Sequence, residues 1–281
     1  MSLFNIIRSL KNVPSSLGKL RHEVRTLKRM IEKLPRELSR AGGVLDAGVA
    51  PSANLVPTVP EVQWTAYIQF LTWVNGGMLT RGNVDCFAHA MEFMPEGLPV
   101  LEIGSFCGLS ANLISLFKRK YGRNVPLFCC DPWISVWAKD STIIEGSPGF
   151  ELSEFRVFIK ETCLRNVSFF SSDDRPHMFE TDSDSFFRDW EARQTHSDLF
   201  GRDASFGGMF AFAYIDGDHE YDQAKKDFIN VDRWLAPGGF VLFDDSSGGH
   251  DGSTAVAQEV KAHANYELVA ANPNLFFRKR R

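Results

Sequence analysis

From residue 99 to residue 245 the chain alternates short apolar runs with amphipathic stretches, and the apolar runs end in an acid or a glycine. PVLEIG, VPLFCCD, FAFAYIDG and GGFVLFDD have strand length and near-continuous apolarity, which suits parallel strands covered on both faces. GLSANLISLFKRK, FELSEFRVFIKETCLRN and YDQAKKDFINVDRWL fall between them with helical periodicity. VSFFSSDD reads as the third strand in order, with a polar end. TAVAQEVKAHA reads as a helix, and YELVAA and NLFFRKR as antiparallel edge strands. WTAYIQFLTWV and NVDCFAHAMEFM predict two helices ahead of the first strand, separated by a Gly-Gly break. The whole predicts an α/β fold built on a doubly wound, mostly parallel, seven-stranded sheet, with ligands at the carboxyl ends of the strands. Residues 174–208 fit no β-α unit; their phenylalanines are scattered among charges, and the segment reads as an insertion or lid.

Composition bounds the class. Hydrophobic residues are 44% and charged residues 23% of 281, which excludes wholesale disorder. No stretch approaches about eighteen uninterrupted apolar residues, so no transmembrane helix is expected. The opening MSLFNIIRSLKN carries Arg8 and Lys11 within its apolar run and lacks a small-residue cleavage site, so no signal peptide is expected. Cys86, Cys107, Cys129, Cys130 and Cys163 form no CxxC pair, and an odd set of this kind predicts reduced thiols in a cytoplasmic protein.

The net charge of −4 is unevenly spread. Residues 1–40 hold ten lysines and arginines against three acids, while the remainder holds 21 against 32. The acidic body argues against nucleic acid as a partner. In the basic head, Leu17, Val24, Ile31 and Leu38 alternate with Leu20, Leu27 and Leu34 at heptad a and d spacing, and Glu23 at g can pair with Lys28 at e of a second helix. Three readings stand: a coiled-coil-like helix that makes a homo-oligomer, an amphipathic helix on its own domain, or a membrane-surface helix led by Leu3, Phe4, Ile6 and Ile7. Residues 41–60, with three prolines and no periodicity, predict a linker to a catalytic domain at 61–281.

Four segments carry candidate chemistry. In LEIGSFCG, Gly104 permits a tight turn after the first strand and Gly108 opens the next helix. This is not GxGxxG, so a dinucleotide cradle is poorly supported. Glu102 is a carboxylate in an apolar strand and needs a partner if buried. Asp131, ending the second strand in CCDPW, stands where an acid can take both hydroxyls of a ribose. YIDGDHEY and VLFDD place Asp216, Asp218, Asp244 and Asp245 at the ends of neighbouring strands, where converging carboxylates call for a cation such as Mg²⁺. His219 lies three residues after Asp216, near enough to act beside that cation; His250 decorates a glycine-rich loop.

Together, PVLEIGSFCGLSANLI, CCDPW, YIDGDHEY and LAPGGFVLFDD resemble class I S-adenosylmethionine-dependent methyltransferases, more narrowly the bacterial macrocin-type sugar O-methyltransferase and cephalosporin-hydroxylase-like subgroup. The resemblance covers about residues 70–280 and implies a Rossmann-like fold. It implies that Glu102, Gly104, Ser105 and Gly108 hold the methionine and ribose part of S-adenosyl-L-methionine, that Asp131 binds ribose, and that Ser172 and Asp173 contact adenine. It further implies a divalent cation on Asp216, Asp244 and Asp245, catalysis by His219 with Asp216, and a hydroxyl of a sugar or glycan as acceptor. Two other classes compete: a nucleotide-binding oxidoreductase, disfavoured by the missing GxGxxG, and a silent scaffold assembled through the head.

Overall fold

The computed structural model describes residues 56–134, 149, 151–248 and 252–281. The heptad series, His250 and most of the expected linker lie outside these residues.

Two helices, α1 (Ala66–Val74) and α2 (Arg81–Phe93), precede strand β1 (Val100–Ile103). The chain continues through α3 (Leu109–Lys120), β2 (Leu127–Cys130), α4 (Leu152–Phe170), β3 (His177–Phe179), α5 (Ser183–Glu191), β4 (Thr195–Ser197), β5 (Asp203–Ser205) and β6 (Phe210–Ile215). It ends in α6 (Tyr221–Trp234), β7 (Leu235–Phe243), α7 (Gly252–Ala262), β8 (Tyr266–Ala271) and β9 (Leu275–Lys279). Seven strands form one sheet in the order β3-β2-β1-β6-β7-β9-β8, while β4 and β5 pair apart from it. All pairs from β3 to β7 are parallel, and β9 runs antiparallel to β7 and β8. The expected doubly wound sheet is therefore present, with β8 rather than β9 at its edge.

The strands alternate between two cores, because successive side chains point to opposite faces. Val100, Leu127, Phe212, Tyr214 and Leu242 pack with α1 to α4. Leu101, Ile103, Phe128, Ile215 and Phe243 pack with α5, α6 and α7. Both faces are covered, which explains the unbroken apolar runs. Among the described residues no helix is long and apolar enough to cross a membrane.

Three expectations change. Residues 167–170 are helical, not the start of a strand: Ile159, Cys163, Val167 and Phe170 are buried at steps of four, four and three, so α4 carries its apolar stripe to its last turn. The third strand lies later, at His177–Phe179. Nor are residues 174–208 a lid. They supply that sheet strand and α5, whose Phe186, Phe187 and Trp190 are buried at helical spacing in the second core. Finally, residues 56–60 do not behave as a free linker. Val59 is buried, the Pro57 carbonyl accepts from Ala271 N–H at 2.9 Å, and Asp85 accepts Val62 N–H at 2.7 Å.

Candidate active site

Strand register determines what meets at the carboxyl edge. Ile103 lies opposite Cys130 and Ile215, and Ile215 lies opposite Phe243. The next residues, Gly104, Asp131, Asp216 and Asp244, therefore stand side by side. The ladder continues through them: Gly104 N–H donates to the Cys130 carbonyl at 3.0 Å, Asp216 N–H to Ile103 at 2.8 Å and Asp244 N–H to Ile215 at 2.9 Å. Strand order reverses here, with β2 and β3 on one side of β1 and β6 and β7 on the other. In open α/β sheets that reversal opens a crevice. The cleft above it measures about 640 Å³, within the range that takes a small-molecule ligand.

The turn after β1 is shaped by its neighbours. Gly104 has φ +85°, and a Cβ there would sit 1.9 Å from the Asp216 carbonyl oxygen. Glycine is thus demanded by the adjoining strand end as well as by the turn. Gly108 caps α3 at φ +83°, where a Cβ would press on Val167 and Cys163 of α4 at 3.0 and 3.1 Å. Asp131 binds the turn itself. Its Oδ2 accepts Ser105 N–H and Phe106 N–H, both at 2.8 Å, and its Oδ1 accepts Trp133 N–H at 2.5 Å. Three of roughly four acceptor positions on the carboxylate are filled. Asp131 lines the cleft as expected, but both its oxygens are engaged and a single acceptor position on Oδ1 is left for a ribose hydroxyl. Burial raises its pKa against the opposing pull of those backbone donors.

Glu102 does not stand among the cleft-lining residues. It is fully buried beneath the turn, where Oε2 accepts from Ser105 Oγ at 2.8 Å. Burial pushes its carboxyl up to about 7, against the hydrogen bonds it accepts. Its partner is the turn, so it braces Ser105 from below while Ser105 reaches the cleft.

The acids that follow β6 and β7 separate into a contacting pair, half-buried Asp216 and buried Asp244, and an exposed member. Asp216 Oδ2 accepts from Tyr214 Oη at 3.0 Å. Asp244 Oδ1 accepts from Asn83 Nδ2 at 2.5 Å and from Asn274 Nδ2. Asn274 also donates to Asn83 Oδ1 at 3.0 Å, closing a ring of amides around Asp244. Asp216 and Asp244 hydrogen-bond each other. Burial, then the Asp244 charge, raises the Asp216 pKa well above the carboxylate range, and burial raises that of Asp244. Two carboxyls in contact disfavour ionisation of both together, and a cation between them would relieve that repulsion. Asp245 stands apart at φ +47°, with Oδ2 3.5 Å from His219 Nε2, while His219 Nδ1 lies 3.2 Å from Ser253 Oγ. Among the described residues no three His, Cys, Asp or Glu side chains converge as metal ligands. The donor chemistry of the Asp216–Asp244 pair suits a hard divalent ion; Asp245 faces the histidine instead.

Ser172 and Asp173 are not at a strand end and do not line the cleft. They follow α4, and Asp173 pairs with Arg119 at 3.1 Å. The carboxyl end of β3 leads instead to Asp182, Ser183 and Asp184, which line the cleft. Asp182 caps α5 by accepting Ser185 N–H at 2.8 Å. Behind them Asp227 accepts from Ser183 Oγ at 2.5 Å, and burial raises it to about 6. Asn83, Asn274, Trp133 and residues 182–184 were not singled out by sequence reasoning. The D-x-[SD] start of α5 carried a capping signal; the two asparagines lie 191 residues apart and carried none.

A family model described as a methyltransferase domain matches residues 101–246. No curated protein matches the chain. Among solved structures, an O-methyltransferase from Bacillus cereus in complex with SAH is 12% identical, with 81% of this chain and 93% of that one covered at a TM-score of 0.48. The O-methyltransferase NovP is 16% identical, with coverages of 73% and 84% and a TM-score of 0.48. The calicheamicin methyltransferase CalS11 is 15% identical, with coverages of 83% and 99% and a TM-score of 0.46.

Proposed function

The chain belongs to the methyltransferase-domain family whose model matches residues 101–246, and from that premise we propose that it moves a methyl group from S-adenosylmethionine to a hydroxyl oxygen of a sugar or glycan-type acceptor. The observation that carries this reading is the row of strand ends, which sets the glycine turn beside Asp131, Asp216 and Asp244 along one cleft. S-adenosylmethionine supplies a methyl group on a positive sulfonium, already activated for transfer. An acid-lined cleft suits that charge. Ser105 and the remaining acceptor position on Asp131 Oδ1 take the methionine and ribose part in this reading. Asp182 to Asp184 take the adenine side that Ser172 and Asp173 do not reach.

What remains for the protein is to align the acceptor oxygen and remove its proton, because an alcohol is a poor nucleophile near neutral pH. His219 is the base in this reading, held by Ser253 on Nδ1 and facing the cleft and Asp245 with Nε2. A divalent ion bound by Asp216 and Asp244 would lower the acceptor hydroxyl's pKa, with Asp245 left facing His219. The basic head is proposed to tether copies of the chain through its heptad series.

Calorimetric titration with S-adenosylmethionine and with NAD tests the reading. Binding of the first alone is expected, followed by labelled methyl transfer to members of a glycan panel; binding of NAD alone would overturn it. For the metal, excess chelator is expected to remove activity and Mg²⁺ to restore it. Full turnover in chelator, with no metal by elemental analysis, would leave Asp216 and Asp244 as a proton-sharing pair only.

A further inference from the structure

We propose that Trp133 is a positioning residue: its indole locks the turn after β1 in the shape that receives the cofactor. The inference rests on the methyltransferase reading above and extends it to a residue that touches the turn from the far side of Asp131.

Three non-glycine residues of the cleft hold left-handed backbone conformations: Asp245 at φ +47° beside His219, and Phe106 at φ +44° and Trp133 at φ +48° at the turn after β1. Such conformations are disfavoured for bulky side chains and persist only where surrounding contacts impose them. Those contacts are present at both ends of Phe106. Its N–H donates to Asp131 Oδ2 at 2.8 Å, and its carbonyl accepts from Trp133 Nε1 at 2.8 Å. The clamp closes on itself, since Trp133 N–H donates to the other oxygen of Asp131. Trp133 is 1% exposed, so water does not replace the indole donor. α3 begins three residues after Phe106, and the peptide held by the indole leads directly into its first turn. A helix N-terminus that faces a ligand depends on the orientation of such peptides. Asp131 alone fixes only the N–H side of Phe106; without the indole the carbonyl is free to rotate and the left-handed conformation loses its second anchor.

The test is a double-mutant cycle on the full chain, read as the dissociation constant of S-adenosylhomocysteine by calorimetry. Wild type is titrated first, and absence of binding there overturns the methyltransferase reading and this inference with it. Trp133→Phe keeps an aromatic ring and removes only the donor. It is expected to fold, as judged by thermal unfolding, and to bind about tenfold more weakly, the size of one buried hydrogen bond. Phe106→Gly adopts the left-handed conformation without a clamp. In that background the effect of Trp133→Phe should shrink to less than about threefold, a coupling expected only of groups that act through each other. Wild-type affinity in Trp133→Phe overturns the proposal. An equal loss in both backgrounds, or a Trp133→Phe chain that does not fold, also overturns it by making the indole core packing and nothing more.

Discussion

At the residue scale, carboxyls held above their usual range give the site a pH signature. Glu102 is raised to about 7 and Asp227 to about 6, both by burial. Each native group keeps its proton at pH values where the unfolded chain has lost it. Each therefore stabilises the fold fully below its unfolded pKa, and that stability drains away as pH rises through the native value. The urea midpoint is expected to fall between pH 5 and pH 7.5, and Glu102→Gln should flatten the fall and raise the midpoint at pH 8. A Glu102→Gln profile that parallels wild type would show the carboxyl ionised in the native protein. Gly104 makes a different prediction. A side chain there would clash with the Asp216 carbonyl of the adjoining strand end. Gly104→Ala should therefore destabilise the fold by roughly 2 kcal/mol or more, measured by urea unfolding, in addition to weakening cofactor binding. Unchanged stability with lost binding would return the glycine to a purely ligand-facing role.

At the scale of elements, what the sequence makes legible follows from how local the cause is. β1, β2, β6 and β7, with their terminal acids, are readable because burial on both faces leaves an unbroken apolar run that any reader of PVLEIG or GGFVLF can see. The helix–strand confusion at residues 167–170 arose because VSFF suits either state over so short a span; the stripe Ile159–Cys163–Val167–Phe170 decides it only when followed from α4's capping box. α5 was hidden for the opposite reason. Its three core aromatics sit in nine residues, SDSFFRDWE, rich in charge, so the apolar face is narrow but fully used. Trp190→Ala should cost about 3–5 kcal/mol, as for a large core residue. A loss near zero in chemical denaturation would restore the segment to a detachable lid. The Asn83–Asp244–Asn274 ring was illegible from sequence because its members come from α2, the end of β7 and the turn before β9, and no local pattern marks them.

For the whole molecule, the described residues that line the cleft belong to the stretch from residue 77 to residue 245. The natural place to cut is before Val56, not after Pro60, because Pro57, Val59 and Val62 are tied into the body by backbone bonds and burial. A chain starting at residue 56 is expected to keep wild-type affinity for S-adenosylhomocysteine. If the heptad series tethers copies, its mass by light scattering should fall relative to the full chain. Retained mass would assign the head to another task, and lost affinity would make it part of the site.

The amide ring around Asp244 also bears on the order in which a working copy comes into being. Asp244 emerges during synthesis thirty residues ahead of Asn274, and Asn83 long before either. Until the β8–β9 hairpin is made and docks against β7, Asp244 has one amide where the finished protein gives it two. A copy cut short by a premature stop between these positions would contain the glycine turn, both carboxyls and the histidine, but only one of the two amides that hold Asp244. In chain order, the amide set around Asp244 is thus the last part of this strand edge to be completed.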